Sequence, residues 1–417
     1  MFYSHGHLPG LLLLLFTGVA HATSLSLADA ERIALEAEPG HTALLERADS
    51  LREKAIAAGQ LPDPKLRVAL ANFPLESGGF STEGMTQTQI GFRQAFPPGQ
   101  SRVIGTRRYE SMAQELSENA AVRHRDVLLA VRTSWLEHWY WLHAGEVVNE
   151  IRPLFVDLVT VTQSLYSVGR RNQHDILRAE LELSRLDDRL IEIKGKQATT
   201  RARLSEWVAQ AAALPVDGGL PAWTSLPPLE QLQAHLEKHP AVLAADSRIS
   251  AANDGIELAR QQYKPGWAID LGYAYRDGRL PTGMSRSDFA TVSFTMDLPY
   301  FRKNRQDREV AAARSVRRAA HASKEQFLRQ LASQLEVEYA RWHELSRRID
   351  LYQRQVLEQA HERTRAARVA YQSGTGDFAD VMRGSIDELN TRLDFIRLQV
   401  DRAQSHAVVA NLGGLTL

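Results

Sequence analysis

Trp267-Ala268-Ile269-Asp270-Leu271-Gly272-Tyr273-Ala274-Tyr275-Arg276 is followed, after a polar loop, by Asp288-Phe289-Ala290-Thr291-Val292-Ser293-Phe294-Thr295-Met296-Asp297-Leu298. Both segments alternate. In the first, Trp267, Ile269, Leu271, Tyr273 and Tyr275 oppose Ala268, Asp270, Gly272 and Ala274. In the second, Val292, Phe294, Met296 and Leu298 oppose Thr291, Ser293, Thr295 and Asp297. A period of two marks a strand with unlike faces. Segments of about eight to eleven residues have the length of a tilted strand that crosses a bilayer. Two earlier segments, at about 65–72 and 86–95, complete the set, and Leu66, Val68 and Leu70 oppose Arg67, Ala69 and Ala71. An ordinary half-buried sheet would need a compact cap, and the rest of the chain reads as very long helices. If the apolar faces meet lipid, free strand edges are not tolerated, and four strands cannot close, because barrels begin at about eight. Three chains of four strands each give a shared barrel of about twelve, wide enough for an aqueous pore.

The chain repeats itself. Glu36-Ala37-Glu38-Pro39 returns as Glu237-Lys238-His239-Pro240, and Ala58-Gly59-Gln60 as Ala259-Arg260-Gln261. Phe92 to Pro97 returns as Phe294 to Pro299, and Tyr166-Ser167-Val168-Gly169 as Tyr371-Gln372-Ser373-Gly374. Four matches in order at an offset of about 200 residues identify two copies of one unit. The expected division is a first repeat over 23–212, a Pro- and Gly-rich linker over 213–228 and a second repeat over 229–417. Each copy carries a helical stretch (about 27–60 and 229–262), its strand pair, a long helical stretch (about 102–166 and 305–371), a glycine break and a shorter helix (about 175–208 and 377–412). No Gly or Pro lies between Gly105 and Gly145, or from Arg302 to Ser373. Sixty-odd helical residues extend on the order of 100 Å, which suits side-by-side coiled packing and not a globular domain. Leu128, Trp135 and Leu142 step by seven with Trp139 beside them, and the stripe reads as a packing seam.

The first 22 residues read as a secretory leader: an apolar run from Leu8 to Ala20, then the small-x-small pattern Ala20-His21-Ala22. The segment before that run has His5 and His7 in place of Lys or Arg.

Composition narrows the function. The 417 residues carry 50 Lys and Arg against 50 Asp and Glu, a net charge of zero, which argues against a nucleic-acid binder. Cysteine is absent, so there is no disulfide, thiolate metal site or catalytic thiol. No phosphate loop, dinucleotide fingerprint or nucleophile elbow is present. His235 and His239 are spaced for chelation, but without a third ligand they read as a solvated helix end. The chain therefore reads as neither an enzyme nor a cofactor- or metal-binding protein.

The tandem repeat, the strand-to-helix junctions Phe96-Pro97-Pro98-Gly99 and Leu298-Pro299, and the breaks at Tyr166-Ser167-Val168-Gly169 with Asp175-Ile176-Leu177 and Tyr371-Gln372-Ser373-Gly374 with Asp380-Val381-Met382 resemble the TolC, or outer membrane efflux protein, family. The resemblance spans essentially the mature chain. It implies a mainly α fold with a small membrane β-part: a homotrimer whose tandem helical hairpins form an α-barrel below a shared 12-stranded β-barrel. It implies location in the outer membrane of a Gram-negative bacterium, with a large periplasmic part, and contact with outer-membrane lipid. The implied function is the passive exit channel of a tripartite efflux system, fed by a periplasmic adaptor and an inner-membrane pump of the RND type. Leu61-Pro62-Asp63-Pro64-Lys65 and Ala71-Asn72-Phe73-Pro74 look similar to heavy-metal-efflux members, and drugs are the other implied cargo. A type I protein-secretion duct, or a soluble periplasmic coiled-coil scaffold, are the alternatives. By resemblance, Val168, Gly169, Arg170, Ser373, Gly374 and Thr375 are adaptor-contacting tips, and Asp380 and Asp175 fall at gate positions. Arg383 stands where a second gate acid is expected, and Gly376 where a pairing arginine is. Capping of helix N-termini is the competing role for Asp175, Asp377 and Asp380.

Overall fold

The computed structural model describes residues 24–169, 172–216 and 218–415; the leader expected over residues 1–22 lies outside them. Each helix begins where local chemistry satisfies its free N–H groups. Ser26 Oγ accepts from the Asp29 amide at 3.1 Å and opens α1 (Leu27–Ala37). Pro39 then opens α2 (Pro39–Ala58), with the Glu38 carboxylate accepting from the Gly40 and His41 amides. The sequence predicts one helical stretch over about 27–60. The structure divides it because a residue before proline is driven out of the helical region, and Glu38 is extended, with ψ 107°.

The sheet consists of β1 (Lys65–Ala71), β2 (Gln87–Phe96), β3 (Trp267–Tyr275) and β4 (Phe289–Met296). All neighbours are antiparallel and the order is β1-β2-β3-β4, so β1 and β4 are open edges. Residues 65–96 supply one half of the sheet and residues 267–296 the other.

From β2 the chain enters α3 (Ser101–Ser167), a single helix of 67 residues, about 100 Å long at ~1.5 Å per residue. It turns at Val168-Gly169 and returns as α4 (Gln173–Val208). The chain then runs through α5 (Leu229–His235) and α6 (Pro240–Gln261), and from β4 into α7 (Gln306–Leu351). A π turn at Tyr352–Val356 separates α7 from α8 (Leu357–Gln372), and α9 (Phe378–Gly413) returns. The sequence predicts an unbroken stretch over about 305–371. The π turn lies where the packing partners change: α7 leans on both α6 and α9, and α8 mainly on α9.

Four apolar clusters hold the helices together among the described residues, two of them along α7 and its neighbours. Around mid-length, Val127, Val131, Trp135 and Leu136 of α3 pack with Leu204 of α4, Val400 of α9 and Leu25. Trp135 Nε1 donates to the Leu25 carbonyl at 3.1 Å, and Trp139 Nε1 to the Gly218 carbonyl at 3.1 Å. Trp135 and Trp139 of the expected stripe are therefore in a packing seam that also ties in the connecting segments, but Leu128 and Leu142 are only half-buried, and Val127, Val131 and Leu136 complete the seam in their place. Toward the tips, Phe155, Ala179, Leu186, Phe378, Met382 and Leu389 form the second cluster. Among the described residues, no helix is long and apolar enough to cross a membrane.

Candidate conduction path

The sheet presents two unlike faces in register. On one, Leu66, Phe92, Leu271 and Val292 stand side by side across all four strands, with Val68, Ile90, Tyr273 and Ala290 in the next row. These side chains are bare: Leu66 is 70 % and Val292 78 % exposed. A soluble protein does not leave such a continuous apolar band open to water. Thr88 and Gln94 are polar residues on this face, and the Gln94 amide donates to the Pro62 carbonyl at 2.9 Å. At the helix-side end, Phe96 stacks on Trp267 at 3.9 Å and Trp267 meets Phe294 at 5.8 Å. Just beyond, Tyr300 and Phe301 are each 84 % exposed beside Arg302 and Lys303. Aromatic and basic side chains at the end of an apolar band are what a membrane–water boundary selects.

The opposite face carries Lys65, Arg67, Gln87, Gln89, Arg93, Asp270, Thr291 and Ser293, with Gly91 and Gly272 in its middle row. It suits water. The strand-to-helix junction below it is fixed by Gln261 at the end of α6, whose Oε1 accepts from the Gln100 amide at 3.1 Å.

At the far end of the helices are the two tips. Gly169 (φ +71°) and Gly374 (φ +79°) adopt the left-handed conformation that closes each turn, which glycine reaches at little cost. The Gly169 amide bonds to the Tyr166 carbonyl, and the Gly374 amide to that of Tyr371. Val168 is exposed, as are Ser373 and its neighbour Gly374, and the Ser373 and Thr375 hydroxyls lie 3.0 Å apart. Arg170 lies outside the described residues. The two tips are not independent, because Tyr371 and Phe378 of one share a cluster with Phe155, Leu158 and Ala179 of the other.

The gate candidates are arranged as follows. Arg383 Nη2 lies 3.3 Å from Asp380 Oδ1, one turn along α9, and both side chains are mostly exposed. Asp377, not Asp380, caps α9, its carboxylate accepting from the Ala379 amide at 3.4 Å. Asp175 sits in the first turn of α4, its amide bonded to the Asn172 carbonyl, and makes no ion pair among the described residues. The structure therefore joins Asp380 to Arg383 and leaves Asp175 apart from both.

Sequence reasoning missed the charge pairs that stitch the hairpins together. Arg397 of α9 reaches Glu137 of α3 at 2.7 Å, Arg392 reaches Glu150 at 2.5 Å, and Arg152 of α3 reaches Asp187 of α4 at 2.7 Å. Burial pushes the Glu137 carboxyl up, but hydrogen bonds from Arg397, Trp141 and Gln404 outweigh it and hold the group below its ordinary value. No local spacing announces partners so far apart in sequence. His235 and His239 do not converge on a metal: His235 Nδ1 contacts the Gln231 carbonyl, and His239 Nδ1 caps α6 by accepting from the Ala241 amide.

A family model described as Outer membrane efflux protein matches residues 231–415. No curated protein matches the chain. Among solved structures, the chain is similar to the outer membrane protein VceC from Vibrio cholerae, with 17 % identity, 93 % of this chain and 96 % of that one covered, and a TM-score of 0.78. It is similar to CusC, studied for folding and transmembrane channel formation, with 14 % identity, 93 % and 91 % covered, and a TM-score of 0.80. The open state of the Neisseria gonorrhoeae MtrE outer membrane channel follows at 16 % identity, 94 % and 89 % covered, and 0.74. Residues 231–415 thus carry the outer membrane efflux protein pattern, and the chain as a whole has the fold of the outer-membrane efflux channels.

Proposed function

We infer that three copies of this chain form the outer-membrane exit channel of a tripartite efflux system. The observation that carries the reading is the sheet, whose bare apolar face and two open edges sit at one end of a helical body about 100 Å long. Antiparallel order places β4 of one copy beside β1 of the next with the same alternation of direction, so twelve strands close without an edge. The apolar band then faces outer-membrane lipid, and the helices reach down through the periplasm. The channel is passive. An inner-membrane pump of the RND type supplies the work, and a periplasmic adaptor meets the tips at Val168, Gly169 and Arg170 and at Ser373, Gly374 and Thr375. Asp380 with Arg383, and Asp175, form the entrance that must open.

The deciding experiment is the native mass of the protein extracted from bacterial membranes in mild detergent. A three-chain species confined to the outer-membrane fraction is expected. A monomer that is soluble without detergent would leave a periplasmic scaffold as the better account. Within the trimer, Asp380→Ala should raise entry of a bulky antibiotic; unchanged entry would remove the gate assignment.

A further inference from the structure

We propose that the strand segment of this duct is anion-selective, that Lys65 and Arg67 set the preference, and that the solutes it passes most readily carry negative charge. The proposal rests on the exit-channel reading. Its starting point is the face opposite the apolar band. There Arg67 heads the row Arg67, Gly91, Gly272, Thr291, and the next row is Lys65, Arg93, Asp270, Ser293. Two glycines at mid-sheet weaken the strands that hold them. Their effect here is that Arg67 has no side chain beside it from β2 or β3 in its row; a Cβ at Gly91 would lie 4.0 Å from the Arg67 Cβ, an ordinary contact.

The acid on this face is already engaged. Asp270 Oδ1 lies 3.8 Å from Arg93 Nε. Lys65 and Arg67 are exposed and make no ion pair among the described residues. Charges of both signs lie just beyond the strands: Arg276 at the loop end, 4.5 Å from the Phe289 ring, and Asp63 and Asp297 at the helix-side end, with Arg302 and Lys303 after them. Each chain therefore contributes two uncompensated cations within the strand span. At roughly 10 Å from the axis in water, with screening near 0.1 M salt, about six such charges around a three-chain pore enrich anions by on the order of five-fold. At the tips Arg383 pairs with Asp380, while Asp175 has no ion pair among the described residues, so the preference is assigned to the strand segment alone.

The test is the reversal potential of the purified full-length trimer in a planar bilayer under a potassium chloride gradient, recorded on the wild type and on Asp380→Ala, which opens the entrance. Chloride is expected to permeate a few-fold better than potassium, with the ratio shrinking at high salt. Arg67→Gln with Lys65→Gln should bring it to about one, and Asp270→Asn should raise it. A preference for potassium, as a duct for metal cations would show, overturns the proposal. So does a ratio that ignores all three substitutions, which would place selectivity in the helical part. A protein that forms no detergent-stable trimer in the outer-membrane fraction overturns the exit-channel reading itself and the proposal with it. An Arg67 variant that fails to assemble leaves Asp270→Asn to decide by the direction of its shift.

Discussion

Val292 and Ser293 are consecutive, yet the structure puts them on opposite sides of the sheet. Val292 closes the apolar row of Leu66, Phe92 and Leu271, and Ser293 faces Asp270. If the apolar face meets hydrocarbon, arginine at these two positions must have very different costs. A lipid-facing arginine near the bilayer midplane costs about 2–4 kcal/mol per chain, and a trimer carries three copies, so Val292→Arg removes about 6–12 kcal/mol from the assembled barrel. Ser293→Arg points into water and gains a carboxylate within reach. An exposed pair of that kind contributes about 0–1 kcal/mol, so no loss is expected. The assay is the fraction of protein recovered as detergent-stable trimer from outer membranes, read on an unboiled gel. Val292→Arg should deplete the trimer at least ten-fold, and Ser293→Arg should leave it intact. Equal behaviour of the two variants would refute the assignment of faces, and with it the location of the pore.

Three further expectations follow from single residues. Trp135 is buried and bonded to the Leu25 carbonyl, so Trp135→Ala should cost about 3–5 kcal/mol, read as a lower unfolding midpoint in denaturant. Gly374 holds a left-handed turn, so Gly374→Val should cost about 1–2 kcal/mol and weaken adaptor cross-linking at that tip more than Ser373→Ala does. Burial and the nearby Arg125 guanidinium push His239 down from 6.5 to about 4. The folded state thus holds it neutral, and below pH 6.5 the unfolded chain binds the extra proton. Stability is full above that pH and declines by up to about 3 kcal/mol as pH falls toward 4. His239→Asn keeps a capping side chain without the titration, so its midpoint should lose that part of the pH dependence.

The legible parts of this molecule are those whose cause is local. The strands could be read because alternation is a property of adjacent residues, as in Trp267 to Tyr275. The length of α3 could be read because no glycine or proline interrupts its middle. The break at Glu38-Pro39 was also within reach, since proline constrains the residue before it. The π turn at Tyr352–Val356 was not, because it lies where the packing partners change along α7 and α8. The pairing of Arg383 with Asp380 is a one-turn relation that the sequence contains. The pairing of Arg397 with Glu137 joins two hairpins across most of the chain, and only the assembled fold reveals it. The tips lie between these cases. Their glycines mark the turns, but the shared cluster of Tyr371, Phe378 and Phe155 that couples one tip to the other has no local sign.

The chain's open edges run the length of the molecule in one consistent order. Helix α2 leads into β1 and β4 leads into α7, while α2, α3, α6 and α7 pack in sequence side by side. The helices that flank the body are therefore the ones attached to the edge strands. Both flanks keep apolar side chains bare, with Ile56 of α2 and Val316 and Val337 of α7 each 61 % exposed. The strand edges need hydrogen-bond partners and the helical flanks need apolar ones. One contact, the β4 and α7 side of one copy against the β1 and α2 side of the next, meets both needs at once. Such a head-to-tail contact either closes into a ring or grows without limit. The membrane part decides between them, because an edge left open in hydrocarbon leaves every second backbone group unpaired, at several kcal/mol each. On the exit-channel reading, closure is thus driven from the strands, and the helices beneath take their symmetry from them.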